Sequence, residues 1–201
     1  MKVTEAIVLA GGRSSRMGRD KALLPVKGQP LLIYLIAKLN GMGMRVTVSA
    51  GTPEQASMYR GLITEHLPTS GTGIVEDLFP GEGPLAGLHA ALSSLQQPDY
   101  AFVLACDMPH VSSSLIGQLE SHRAPDAMVV AVQGQPFHAL YHTNIVPLLA
   151  GRLESGQLRM MEVLREAKAV VIEADDDDTN SAFTNLNTPE AYIAFLEQDQ
   201  Q

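Results

Sequence analysis

The chain has 201 residues, 45% of them hydrophobic and 18% charged, with a formal net charge of −8. This is the composition of a globular protein with room for a full core, and its acidity excludes a general nucleic-acid or membrane-surface role, since both need a basic face. A lone cysteine, Cys106, excludes an internal disulfide and a multi-cysteine zinc site.

The amino end, Met1-Lys2-Val3-Thr4-Glu5, lacks a secretory pattern, and no apolar run reaches the ~18 residues of a membrane span, so a cytoplasmic protein is expected. Residues 5–10 read as a fully buried first strand. The run stops at Gly11-Gly12, and a polar segment follows with Arg13, Arg16, Arg19 and Lys21. Glycines let backbone N–H groups approach an anion, and the cations neutralise it, so this segment predicts a phosphate-gripping loop. It is neither a Walker A motif nor a G-x-G-x-x-G fingerprint. Residues 30–40 read as a helix, with Leu31, Leu32, Leu35, Ile36 and Leu39 at helical spacing, ended by Gly41 and Gly43.

Residues 45–49 form the second predicted strand, 85–95 a helix and 100–105 a third strand. Residues 112–119 are a short serine-capped helix. Strands follow at 127–132 and 137–141, helices at 145–153 and 158–167, a strand at 170–172 and a last helix at 189–196. Alternating strands and helices predict a single α/β domain over residues 1–201, a three-layer α/β/α sandwich on a mostly parallel, Rossmann-like sheet. Asp175 to Asp178 read as a solvated turn, with a divalent-ion site as the minor alternative.

Ligands of such sheets sit beyond the carboxyl ends of the strands. Four segments there carry chemistry. The first is the glycine loop itself. In Ala105-Cys106-Asp107-Met108-Pro109, a carboxylate ends the strongest strand and could hold a hard cation such as Mg²⁺; a turn or cap aspartate is the plain alternative. In Gly81-Glu82-Gly83-Pro84-Leu85-Ala86-Gly87, glycines flank a helix start with a first-turn proline, leaving N–H groups for a ligand. Glu76-Asp77 lies just before it. In Asn185-Leu186-Asn187-Thr188-Pro189, Asn187 or Thr188 would cap the last helix. Capping leaves one asparagine over, and alternate positions of an extended segment share a face. His138 and His142 bracket a strand-like segment at a separation of about 13 Å, so packing or substrate contact is expected of them, not metal binding.

Together these motifs resemble the small nucleotidyltransferases, and among them the molybdenum cofactor guanylyltransferase family, over nearly the whole chain. The matching segments are Leu9-Ala10-Gly11-Gly12 with Arg16-Met17-Gly18 and Lys21, Gly83-Pro84-Leu85-Ala86-Gly87, Cys106-Asp107-Met108-Pro109 and Asn185-Leu186-Asn187-Thr188-Pro189. The resemblance implies transfer of GMP from GTP to molybdopterin with release of pyrophosphate. It implies GTP contacts at Leu9, Ala10, Gly11, Gly12, Lys21, Asp77 and Asp107, with Glu76 as the rival of Asp77. It implies Mg²⁺ on Asp107, catalytic roles for Arg16, Lys21 and Asp107, and acceptor-side contacts at Gly83, Gly87, Asn185 and Asn187. Transient contact with molybdopterin-delivering proteins is a further expectation. Where the family often has a guanosine-contacting asparagine, this chain reads Ser49-Ala50-Gly51.

Three alternatives stand beside this reading. A cytidylyltransferase acting on the same pterin tends to carry alanine where Gly11 stands. A sugar-phosphate or methylerythritol-phosphate nucleotidyltransferase usually has Pro-Lys where this chain has Asp20-Lys21. A nucleotide-binding protein without turnover would have no use for Arg16, Lys21 and Asp107 together.

Overall fold

The apolar run before the paired glycines becomes the middle strand of the sheet. In the computed structural model, which describes residues 2–11, 20–97, 99–173 and 180–198, the chain begins with β1 (Glu5–Leu9). A 3₁₀ turn at Lys21–Leu23 leads into a small hairpin of β2 (Pro25–Val26) and β3 (Gln29–Pro30). The turn residues Lys27 (φ 47°) and Gly28 (φ 79°) both sit in the left-handed region, as a two-residue hairpin turn requires. Then come α1 (Leu31–Gly41), β4 (Arg45–Ala50), α2 (Pro53–His66), β5 (Gly73–Glu76) and α3 (Pro84–Ser94). The second half holds β6 (Tyr100–Ala105), α4 (Ser113–Ser121), β7 (Val129–Val132), β8 (Ala139–His142), α5 (Val146–Glu154), α6 (Met160–Glu166), β9 (Val170–Ile172) and α7 (Pro189–Gln198).

Seven strands form one sheet in the order β5-β4-β1-β6-β8-β7-β9. All neighbours pair in parallel except β8, which runs antiparallel to both β6 and β7. The pleat explains why the central strands read as continuous apolar runs. Ala6 and Val8 of β1, with Phe102 and Leu104 of β6, face one layer of helices, which includes α1 and α4. Ile7 and Leu9, with Ala101 and Val103, face the other, built from α3, α5 and α6. Burying one such side chain stabilises the fold by about 1.5–3 kcal/mol. No helix among the described residues is long and apolar enough to cross a membrane.

Besides the short hairpin of β2 and β3, two longer elements escape the sequence pattern. In α2 only Ala56, Tyr59 and Ile63 are buried, a stripe too narrow to give a helical period above the polar background. β5 is an edge strand with only Ile74 and Val75 partly covered, so it never shows a core run. The aspartates 175–178 lie outside the described residues.

The carboxyl-terminal segment packs back over the sheet. Leu186 N donates to Asp107 O at 2.7 Å, and Phe195 meets Tyr34 and His110 edge-on at 6.2 and 5.0 Å. His138 lies just before β8, not within it, and its φ of 54° breaks the strand spacing expected for it and His142. It is fully buried between Phe102 and Phe183. Its Nε2 donates to His110 O at 3.0 Å, while Nδ1 has no hydrogen-bond partner among the described residues. Burial holds the imidazole neutral, with a pKa of about 4.

This histidine sets a pH dependence. Unfolding frees it to bind a proton at its ordinary pKa of 6.5, and the folded chain takes that proton only near pH 4. Stability is therefore complete above pH 6.5 and falls as the pH drops towards 4, by roughly 3 kcal/mol. Urea midpoints measured across this window should show the loss, and His138→Asn, which tolerates the left-handed backbone, should flatten that slope. An unchanged slope in the variant contradicts the account.

Candidate active site

The strand ends are stitched to one another before any side chain is considered. Ala10 N donates to Ser49 O at 3.0 Å, Asp77 N to Ala50 O at 3.1 Å and Cys106 N to Leu9 O at 3.0 Å. Residues following β1, β5 and β6 thereby gather along the same sheet edge, around the end of β4. Gly11 crosses Gly51 so closely that a Cβ on Gly11 would lie 2.6 Å from Gly51 N, and one on Gly51 would lie 2.4 Å from Gly11 O. Backbone blocks both positions, so glycine is required at each.

A cleft of about 300 Å³ opens at this edge. Leu9, Ala10 and Gly11 line it together with Asp20, Lys21, Ser49, Asp77 and Asp107. Lys21 Nζ lies 2.9 Å from Asp107 Oδ2, with both side chains partly exposed. The same ammonium donates to Asn187 Oδ1, and Asn187 Nδ2 donates to Asn185 Oδ1. Residues 185–187 join no strand, yet the two amides do stand side by side, as their alternate positions implied. Capping of α7 falls to Thr188, whose Oγ1 accepts from Ala191 N at 3.2 Å.

Asp77 lines the cleft, whereas Glu76 does not. Ser49, itself buried, donates to Asp77 Oδ1 at 2.9 Å. Burial raises the Asp77 carboxyl above its usual range, and the Ser49 hydrogen bond opposes that rise. Gly87 belongs to this corner: a Cβ there would meet Ser49 Oγ at 2.4 Å. The structure therefore places Gly87 beside Ser49 and Asp77. Gly83 starts α3 with a φ of 72° and also lines the cleft. Gly12 and Arg16 lie outside the described residues.

Several lining residues escaped sequence reasoning. Asp20 is one; its carboxylate caps the 3₁₀ turn by accepting from Ala22 N at 3.0 Å, and its only signal is an acid directly before Lys21. Ser49 lies in the stretch where the resemblance expects a guanosine-contacting asparagine, which left its role unread, and Phe137 gave no signal. Cys106 is buried, and burial pushes its thiol up, out of reach of ordinary ionisation. His142 caps the 3₁₀ turn at Thr143–Ile145, and His89 packs edge-on against Phe79 at 5.7 Å. Among the described residues no three His, Cys, Asp or Glu side chains converge as a metal cage. Asp107 alone suits a cation that keeps several waters and draws other ligands from substrate phosphates, which is the habit of Mg²⁺.

A glycine crossing, an ammonium and a carboxylate at the carboxyl edge of an α/β sheet define a nucleotidyltransferase-type domain. The model of the MobA-like NTP transferase domain matches residues 6–174, and the chain belongs to that family. It is 32% identical over 198 residues to the molybdenum cofactor guanylyltransferase of Vibrio atlanticus (strain LGP32), covering 96% of this chain and 95% of that protein. The protein of the same name from Xanthomonas euvesicatoria pv. vesicatoria (strain 85-10) is 31% identical, at 96% and 94% coverage. The crystal structure of molybdopterin-guanine dinucleotide biosynthesis protein A from Archaeoglobus fulgidus superposes with a TM-score of 0.82 at 22% identity, covering 98% of this chain and 99% of that one.

The raised Asp77 carboxyl gives a test that needs no ligand. An acid whose folded pKa lies above its unfolded value lends stability only while protonated, and that stability disappears as the pH rises through the carboxylate range. Asp77→Asn keeps an acceptor for Ser49 and removes the buried charge. It should match the wild type near pH 3 and exceed it in chemical denaturation near pH 7. A variant less stable at neutral pH by a margin that does not change with pH refutes this.

Proposed function

We propose that the chain, acting as one domain over residues 1–201, transfers GMP from GTP to molybdopterin and releases pyrophosphate. The observation that carries this reading is the meeting of Gly11, Lys21, Asp77 and Asp107 in one cleft, with the Asn185–Asn187 pair at its border. Its relatives are named for this reaction.

In this reading the backbone at Leu9, Ala10, Gly11 and Gly12 receives the nucleotide. Asp77, steadied by Ser49, faces the guanine, whose N1–H and amino group are donors that suit a carboxylate. Lys21 and Arg16 hold the outer phosphates. An oxygen of the pterin phosphate attacks the α-phosphorus, the bond to the β-phosphate oxygen breaks, and its electron pair leaves with pyrophosphate. The attacking oxygen is already ionised, so positioning and charge stabilisation carry the reaction and no general base is required.

Nucleotidyltransferases of this family generally use a divalent metal. Asp107 would hold it, and we assign it as Mg²⁺; when bound it supplies positive charge to the phosphate oxygens. Asn187, through its contact with Lys21, and Asn185 border the acceptor side. Gly83 frees N–H groups at the start of α3, and Gly87 leaves room for the Ser49–Asp77 pair.

The test is pyrophosphate release from GTP in the presence of molybdopterin and Mg²⁺. Lys21→Ala should fold normally and lose on the order of 10²–10³ in rate. Full turnover in that variant removes Lys21 from the mechanism. Calorimetric titration of the Mg²⁺-supplemented protein should show GTP binding more tightly than CTP. The reverse order would make the chain a cytidylyltransferase.

A further inference from the structure

We propose that Tyr59 and Gln55 of α2 are positioning residues for Lys21, acting through Asp20; this rests on the reading of Lys21 as the phosphate-holding cation. Asp20 carries more hydrogen bonds than a capping aspartate needs. Its Oδ1 accepts from Ala22 N at 3.0 Å, while its Oδ2 accepts from Tyr59 OH at 2.7 Å and Gln55 Nε2 at 3.2 Å. Gln55 Oε1 in turn accepts from Gly51 N at 3.1 Å, the amide against which Gly11 is packed.

Tyr59 is fully buried, and its hydroxyl also reaches Ala10 O at 3.1 Å. One phenol proton is thus shared between Ala10, at the end of the first strand, and Asp20, beside Lys21. The two chain segments flanking residues 12–19 are fastened to a single hydroxyl on a single helix. Burial and the neighbouring carboxylate push the phenol far above its ordinary range, so it remains a donor. From this anchor Lys21 reaches Asp107 at 2.9 Å.

The clamp also sets Asp20 apart from the other acids of the cleft. Asp20 lines the cleft with Asp77 and Asp107, but both of its oxygens are taken by donors from the protein. Charge on Asp20 therefore matters less than its ability to accept hydrogen bonds.

That distinction supplies the test. Tyr59→Phe keeps the ring packing and deletes the shared donor; Asp20→Asn keeps one acceptor oxygen and replaces the other with a donor; Asp20→Ala deletes both acceptors. Steady-state kinetics of pyrophosphate release should show kcat falling about 100-fold in Asp20→Ala and about 10-fold in Tyr59→Phe, with KM for molybdopterin unchanged, because misplacement of a group by ~1 Å costs this much. Asp20→Asn, with one acceptor left, should recover part of the loss seen in Asp20→Ala. If Asp20→Ala keeps wild-type kcat, the proposal is wrong. A Tyr59→Phe protein with wild-type kcat, whatever its melting temperature, equally overturns it. Hydrogen exchange without ligands separates this from failure of the functional reading: the amides of Ala22, Leu23 and Leu24 should exchange faster in Tyr59→Phe. If the wild type does not turn over GTP, the reaction assignment falls and the exchange result alone decides the clamp, unchanged exchange refuting it.

Discussion

The parallel pairing of β1 with β4 and β6 governs the rest of this molecule. Leu9 pairs with Ser49 on one side and with Ala105 on the other. Parallel strands in that register end at the same level, so whatever follows each of them arrives at one edge. The chain uses this edge for Ala10 and Gly11, for Ser49 to Gly51, and for Cys106 and Asp107. The register is held by burial, since the strand faces two cores and a slip by one residue would exchange every side chain between them.

Upon that frame the cleft collects opposite charges at short range. Lys21 and Asp107 meet at 2.9 Å, with side chains 19% and 27% exposed. In a partly buried pair the cost of desolvation offsets much of the attraction, so its placement is better understood as chemistry than as a fastening. In the proposed reaction the ammonium passes from a carboxylate to a phosphate, and the carboxylate from an ammonium to a metal ion. A different pattern occurs far from the cleft, where Arg152 is buried between Glu162 at 2.8 Å and Glu166 at 2.7 Å and joins α5 to α6. There a charge withdrawn from water is satisfied on two sides and stays within the protein.

The carboxyl-terminal segment is part of the site and part of the core at once. Leu186 is buried and its amide is tied to Asp107 O, while its neighbours Asn185 and Asn187 turn their amides towards Lys21. Phe183 and Phe195 pack edge-on against His138 and His110. The two histidines therefore act in packing, and their ring edges help to seat the segment that completes the cleft.

Much of this was legible in the order of residues. The long apolar runs announced β1 and β6, because a strand covered on both faces has no polar alternation. Leu31 to Leu39 announced α1, and the chemistry of the glycines, Lys21, Asp107 and the asparagine pair pointed to a ligand site; Gly11, Lys21 and Asp107 do share one cleft. The separation of Asp77 from Glu76 could not be read there, since adjacent acids at the end of an edge strand differ only in the direction each one points. Nor could the grouping of Gly87 with Ser49, the turn that takes His138 out of its strand, or the clamp joining Tyr59 and Gln55 to Asp20. Residues 39 and 35 positions apart meet in that clamp, and no local periodicity carries such a distance. By itself the sequence determined which chemical groups would be present and at which strand ends they would lie. Only the tertiary structure decided which of them touch, because that depends on how helices and edge strands pack around a shared edge.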